Sequence, residues 1–380
     1  MNIRSGKYRI NLTGEAQYKS FIPKALFPFP PITFDDNMIH LLTIAHRSIG
    51  ILMGISQQIP HIDLFVSMYI RKEALLSSQI EGTQATLDDI LDPNIKENTN
   101  MDVLDVINYI KASHFATNRS KELPICNRLI KETHAVLMAN AKGTEKNPGE
   151  YRQSQNWIGP SGSSLQNAKF IPPNIEDMNK AMNDLEICMN SEHDLDQLIV
   201  VALIHYQFET IHPFLDGNGR MGRLLISLYL KNIGILQYQT LYISYFLKRN
   251  KIEYYDRLSE VREKGNYEQW IKFFLLALYE TAQDAAFAIE KLSILHNNHL
   301  KVLESAKNTS KTVIKVFHYI ERFPIISIPK ISKDLHISFN SASQSINILV
   351  KVGILKQTTP QKRNRIFVYE SYLEILRKDT

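Results

Sequence analysis

Cysteine is nearly absent from the 380 residues. Only Cys126 and Cys188 occur, 62 positions apart and outside any metal-ligand spacing. That excludes a disulfide framework and a cysteine zinc module, and it fits a reducing compartment. Long apolar runs are also missing. "LIVVALI" and "FFLLALY" fall well short of the ~20 residues that span a bilayer, so no membrane insertion is expected. The opening "MNIRSGKYRI" lacks the apolar centre of a secretory leader, and a cytoplasmic location is the expectation. Internal repeats and low-complexity tracts are absent too. What is present is an ordinary globular composition, 44% hydrophobic and 22% charged, long enough for two or three domains.

The net charge of +5 is unevenly spread. From Ala306 to Thr380 there are 13 Lys/Arg against 5 Asp/Glu, or +8, which leaves −3 on the rest. A basic tail on a mildly acidic body points to an anionic partner for the tail.

Apolar residues recur at helical spacing over most of the chain, which predicts a mainly α fold. The first 35 residues, punctuated by "FIPKALFPFPPITF", read as irregular chain wrapped on the surface. Helices are expected through residues 36–91, with a start near Asp63, a stop at Gly82 and Thr86 capping a short successor. Further helices are expected over Asp102–Asn118, Leu123–Ala139, Ile175–Met189, Asp194–Thr210 and Gly219–Asn232, and through most of 251–305. Between Gly143 and Pro173 the Gly-, Ser- and Asn-rich chain reads as a long loop with a small hairpin at "NWIG" and "AKFIP". The tail reads as three helices and a β-ribbon tipped by Lys362, Arg363 and Arg365. The expected division is a helical region over 1–115, a core over 116–290, a linker over 291–305 and a basic module over 306–380.

One segment concentrates the chemistry. "IHPFLDGNGRMGRLL", Ile211 to Leu225, interrupts an apolar helical stretch with a histidine, an aspartate, three glycines and two arginines. Pro213 ends a helix and leaves His212 at its exit. "DGNG" supplies a tight turn, and a new helix starts near Gly219. The first amides of a helix have no internal partners and carry the positive end of its dipole, so Gly217, Asn218 and Gly219 can form a phosphate nest. Arg220 and Arg223, one turn apart, can reach back to the same anion. Asp216 puts a hard carboxylate beside the phosphates, where Mg²⁺ would sit. A neutral His212 can take a proton from a hydroxyl. Each residue alone is commonplace; the cluster within twelve positions is not. A rival reading places His205, Glu209 and His212 on one helical face as half of a di-iron site. It lacks the second Glu-x-x-His such a site needs, so His205 is read as a core histidine.

"HPFLDGNGRMGR" matches the Fic-domain signature HxFx(D/E)GNGRxxR at every fixed position, and the chain resembles that family over roughly Asn127 to Tyr279. The resemblance implies a helical core with a β-hairpin flap, and transfer of AMP from ATP to a hydroxyl side chain of a protein. His212 would be the general base and Asp216 the Mg²⁺ ligand. Gly217, Asn218 and Gly219 would form the anion hole, with Arg220 and Arg223 on the outer phosphates. The hairpin holding Asn167, Ala168, Lys169 and Phe170 lies where relatives have the flap that docks a target strand. "YYDRL" resembles the border of the adenine pocket and nominates Tyr254 and Tyr255. Arg262 stands where some relatives carry asparagine.

"LLSSQIEG" places Ser77 and Glu81 at i and i+4, followed by Gly82. It resembles the inhibitory helix that precedes the core in part of the family. Glu81 would pair with Arg223 and occupy its phosphate-binding fork. Some relatives use this glutamate to remove AMP, so the net direction stays open. The tail resembles a winged helix-turn-helix, with Asn340 to Gln344 opening its recognition helix. It would bind DNA, or instead another protein. A DNA-binding regulator whose body senses nucleotide is the alternative function. A second copy of the chain is expected both as a modification target and as a dimer partner.

Overall fold

The computed structural model describes residues 2–59, 62–93, 100–139, 146–160, 162–306, 309–358 and 365–378. The expected irregular N-terminus is instead a three-stranded antiparallel sheet, β1 (Asn2–Ile3), β2 (Gly6–Asn11) and β3 (Tyr18–Pro23), with Gly6 opposite Pro23 and Asn11 opposite Tyr18. The prolines that argued for irregular chain fall at or after the end of β3, so they terminate the sheet rather than prevent it.

Two helices follow, α1 (Asp36–Gln58) and α2 (Ile62–Ile80), then the short α3 (Leu87–Leu91). Asp35 caps α1 by accepting from Met38 N at 2.9 Å, and Thr86 caps α3 in a reciprocal box with Asp89. Gly82, at φ +102°, turns the chain out of α2, and Thr83 N reaches back to Ser78 O at 3.2 Å. The body continues with α4 (Met101–Arg119), α5 (Asn127–Leu137), α6 (Ile175–Met189), α7 (Gln197–Ile211), α8 (Asn218–Asn232), α9 (Ser244–Arg249), α10 (Lys251–Lys264) and α11 (Tyr267–Ser305). Every residue of α7 from Leu198 to Ile211 is buried, as befits a helix that is apolar almost all round. Around it pack α6, α8 and α11, and Trp270 of α11 donates its indole N–H to Ala202 O at 2.8 Å.

α1 lies along α11. By length and composition α1 is apolar enough to cross a membrane, although scattered polar residues interrupt its apolar run. The expected linker over 291–305 is the last part of α11, which runs unbroken for 39 residues. Its Leu292, His296 and Leu303 are buried, in line with the helix also expected through most of 251–305.

The C-terminal module runs α12 (Lys311–Arg322), β4 (Ile325–Ser327), α13 (Ile328–Leu335), α14 (Phe339–Lys351), β5 (Lys356–Gln357), β6 (Ile366–Val368) and α15 (Glu370–Leu376). Its sheet order is β4-β6-β5, all antiparallel. Lys362 and Arg363 of the expected basic tip lie outside the described residues. The module rests on α2 as well as on α11. There Arg71 sits over the Phe323 ring at 5.5 Å and Lys72 donates to Lys378 O at 3.0 Å.

Candidate active site

His212 ends α7 in the left-handed conformation, φ 50° and ψ 60°, which a non-glycine residue holds only when its surroundings impose it. The surroundings are visible. Its carbonyl accepts from Arg152 Nε at 3.1 Å and Asn156 Nδ2 at 3.3 Å, while Arg152 N donates to Pro213 O at 2.9 Å. Arg152 is itself buried and also donates to Pro173 O. Burial, reinforced by Arg262 and Arg152, pushes the His212 imidazole down to about 4, so the ring is neutral at physiological pH. The ring faces a cleft of about 480 Å³ shared with Glu81, Glu209, Arg223, Tyr255 and Arg262.

Beyond His212 the chain turns into α8. Asn218 clamps this turn at both ends, accepting from Phe214 N and donating to Phe214 O, each at 2.8 Å. His134 supports it from below. Its Nδ1 accepts from Gly149 N at 2.9 Å, which leaves Nε2 protonated to donate to Asp216 O at 2.9 Å. The ring stacks on Phe214 with centroids 3.6 Å apart. Gly217, at φ +75°, caps α8, and a Cβ there would meet Met138 Sδ at 2.8 Å. The amides of the nest therefore differ in use. Gly217 N already donates to Asp216 Oδ1 at 2.7 Å, and the Asn218 side chain holds the turn. What Asn218 and Gly219 present to an anion is backbone at a helix start.

The two arginines do not converge. Arg223 is fully buried and faces α2: Nε donates to Ser77 Oγ at 2.8 Å, and Nη2 to Ser77 O at 2.9 Å and Glu81 Oε1 at 2.6 Å. Arg220 turns toward α4 and α5, with Nη1 3.3 Å from Asp105 and Nη2 3.3 Å from Met138 Sδ. Each guanidinium is engaged here by a carboxylate of its own, Arg220 by Asp105 and Arg223 by Glu81. Burial lowers the Arg223 affinity for its proton, but Glu81, together with Tyr254, Tyr255 and Glu209, raises it above the usual value and keeps the group charged. Gly219 makes room for that contact, since a Cβ there would stand 2.2 Å from Glu81 Oε1.

Asp216 is part-exposed at the rim. Burial raises its carboxyl, yet Lys146, whose Nζ lies 3.0 Å from Oδ2, holds it below the usual range. One ionised carboxylate open to solvent beside a helix start is the donor set Mg²⁺ takes together with phosphate oxygens and water. Asp216 fits that role once Lys146 moves aside. Lys146 was invisible to sequence reasoning, because it comes from a loop 70 residues away.

Other expectations need correction. Tyr254 is completely buried and its hydroxyl lies 2.8 Å from His205 Nε2, so it belongs to the core; only Tyr255 of the pair lines the cleft. Tyr254 and Tyr255 are neighbours on α10 and necessarily face different directions. His205 Nδ1 lies 3.2 Å from Gly222 O, which makes it the core histidine expected. Glu209 turns to the cleft without a hydrogen-bond partner at Oε1, and burial pushes its carboxyl up to about 7. The flap is a single antiparallel bridge, Ile158 with Phe170, with Asn167 accepting from Ser164 N at 2.6 Å. Phe170 is buried beneath the Arg262 guanidinium at 4.1 Å from the ring centroid, Lys169 is exposed 3.7 Å from Asp256, and Ala168 is part-buried. Arg262 also donates to Thr210 Oγ1 at 3.2 Å and lines the same cleft as Arg223.

Residues 39–118 match the Fic/DOC family N-terminal model and residues 124–230 the Fic/DOC family model. The "Protein adenylyltransferase Fic" of Drosophila melanogaster is 27% identical over 241 residues, 63% of this chain and 44% of that protein. Its counterpart in Aedes aegypti is 31% identical over 166 residues, 43% of this chain and 30% of that protein. The chain thus spans less than half the length of these curated relatives. Among solved structures, a Fic family protein from Desulfovibrio desulfuricans is 20% identical with TM-score 0.56, covering 89% of this chain and 97% of that one. A Fic domain containing signaling protein from Bacteroides thetaiotaomicron is 19% identical with TM-score 0.50, covering 68% and 97%. At such identities these two speak to the fold alone.

Proposed function

Because this chain carries a Fic/DOC N-terminal region followed by a Fic/DOC domain, we propose that it is a protein adenylyltransferase that moves AMP from ATP to a hydroxyl side chain of a protein. The acceptor oxygen attacks the α-phosphorus, the bond to pyrophosphate breaks, and His212 takes the hydroxyl proton. The observation that carries this reading is a neutral His212 in the same cleft as the start of α8 and a fully buried, charged Arg223. A neutral imidazole accepts a proton, and the helix start and guanidinium suit the anionic end of a triphosphate. Asp216 would hold Mg²⁺, which neutralises phosphate charge when bound.

Glu81 is the brake in this proposal. Its carboxylate lies on Arg223 and over Gly219, where phosphate would otherwise be bound. Displaced phosphates misalign the α-phosphorus, and positioning is most of the catalysis in such transfers. Incubation with ATP labelled at the α-phosphate tests both claims. Label should appear on protein, rise in Glu81→Gly and vanish in His212→Ala. Label from γ-labelled ATP instead would make the chain a kinase and end the proposal. A second copy of the chain, cytoplasmic like the first, belongs to the same reading as target and as dimer partner.

A second role is supported by one observation in the C-terminal module. Helix α14 leaves Asn340, Gln344, Asn347 and Lys351 exposed on a module of net charge +8. Read as a winged helix, this face enters a DNA major groove. Duplex binding that weakens steeply with added salt supports this; no binding at low salt removes it.

A further inference from the structure

The joint between the body and the C-terminal module holds a cluster that AMP transfer does not use. His296 lies on α11, and His318 and Glu321 lie one turn apart on α12. None of the three lines the His212 cleft. Glu321 is wholly buried and His296 nearly so, while the His318 side chain is 31% exposed. One Glu321 oxygen is 2.6 Å from His296 Nδ1 and the other 3.5 Å from His318 Nδ1. A donor atom from each of the three falls within 4.8 Å of the others, and the two imidazoles are stacked with centroids 5.7 Å apart.

The surroundings are aromatic, with Phe317 against His296 and Tyr369 and Tyr372 near the carboxylate. Among the described residues no lysine or arginine forms an ion pair with Glu321. Neutral imidazoles can donate hydrogen bonds to a carboxylate without cancelling its charge. A wholly buried carboxylate lacking a fixed cation is costly, which leaves a bound cation or a protonated histidine to balance it.

We propose that His296, His318 and Glu321 bind a divalent transition-metal ion, Zn²⁺ by donor preference, which pins the C-terminal module to α11. Two imidazole nitrogens and one carboxylate oxygen form a set suited to zinc, whereas Mg²⁺ and Ca²⁺ prefer oxygen alone. With bonds of ~2.0–2.2 Å, tetrahedral zinc needs donors about 3.4 Å apart, so metal binding draws together atoms that now lie within 4.8 Å of one another. Water fills the fourth position on the exposed side of His318. Because the ligands come from two elements, binding favours the docked module over the undocked one.

The test uses the full chain without a histidine tag, stripped by a chelator and titrated with ZnCl₂ in excess MgCl₂. Calorimetry should give one Zn²⁺ per chain. Co²⁺ in its place should give the strong visible absorption of four-coordinate geometry, and Zn²⁺ should raise the melting temperature. His318→Ala, at a part-exposed position, should weaken binding about tenfold or more, and Glu321→Gln should do the same. Asp216→Asn should leave it intact, separating this site from the phosphate cleft. Absence of stoichiometric Zn²⁺ on folded protein, or wild-type affinity in His318→Ala, overturns the proposal and leaves a hydrogen-bonded His-Glu-His cluster.

Discussion

The turn from His212 to Gly219 and the end of α2 face each other across Arg223, and they are held in opposite ways. The turn is pinned from every side: Arg152 and Asn156 grip the His212 carbonyl, Asn218 ties both ends of Phe214, and His134 supports Asp216. Glu81, one residue past the end of α2, is 38% exposed at its side chain and is held at the site by its ion pair to Arg223. One element is held by many hydrogen bonds, whereas the Glu81 carboxylate is held by one ion pair. If Glu81 is the brake proposed above, its release requires no rearrangement of the turn, only competition for one guanidinium.

The contrast can be broken most severely at His212. His212→Ala should lower label transfer from α-labelled ATP by about 10²–10⁴-fold, the usual contribution of a general base, in a protein that still melts cooperatively. An unchanged rate would put the proton elsewhere. Next in size, Glu81→Gly should raise the initial rate about tenfold or more, with a lowered melting temperature, because the buried Arg223 guanidinium loses the carboxylate paired with it. If the rate stays flat, the ion pair is structural only.

A third change attacks the pinned side. Asn218→Ala deletes two hydrogen bonds in a buried turn and should cost about 2–3 kcal/mol. Urea unfolding should show that loss, and transfer should fall with it even when Glu81 is also removed. Intact stability would mean that the turn is held mainly by Arg152 and His134.

The smallest effect is on pH. His212 serves as base only when neutral, and with its pKa pushed down to about 4 it is neutral at any pH well above that value. Transfer by Glu81→Gly should therefore stay level as pH falls through about 6.5, where an unshifted histidine would halve it. The decline should come only on approach to 4, with circular dichroism reporting whether the fold persists. A midpoint near 6.5 would show that the ring is open to water.

Much of this was readable from the chain. Helical periodicity located α4 to α8 within a few residues, Gly82 and Thr86 marked their turn and cap, and "NWIG" and "AKFIP" meet at Ile158 and Phe170. The pairing of Glu81 with Arg223 is the one implied by the resemblance of "LLSSQIEG" to the family's inhibitory helix. The N-terminal sheet is obscured in the sequence by the prolines that fall at or after the end of β3, although its strands pair locally with one another. His134, Arg152 and Lys146 left no signal, since each acts through a backbone or carboxylate far away in sequence.

By itself the sequence determined which chemical groups crowd together between Ile211 and Leu225, because turn residues and helix periodicity act over a few positions. Tertiary structure alone decided where those groups point. It sent Arg220 to Asp105 and Arg223 to Glu81, sank Tyr254 into the core, and brought His296 onto Glu321. Direction depends on packing between elements distant along the chain, and local propensity does not encode that.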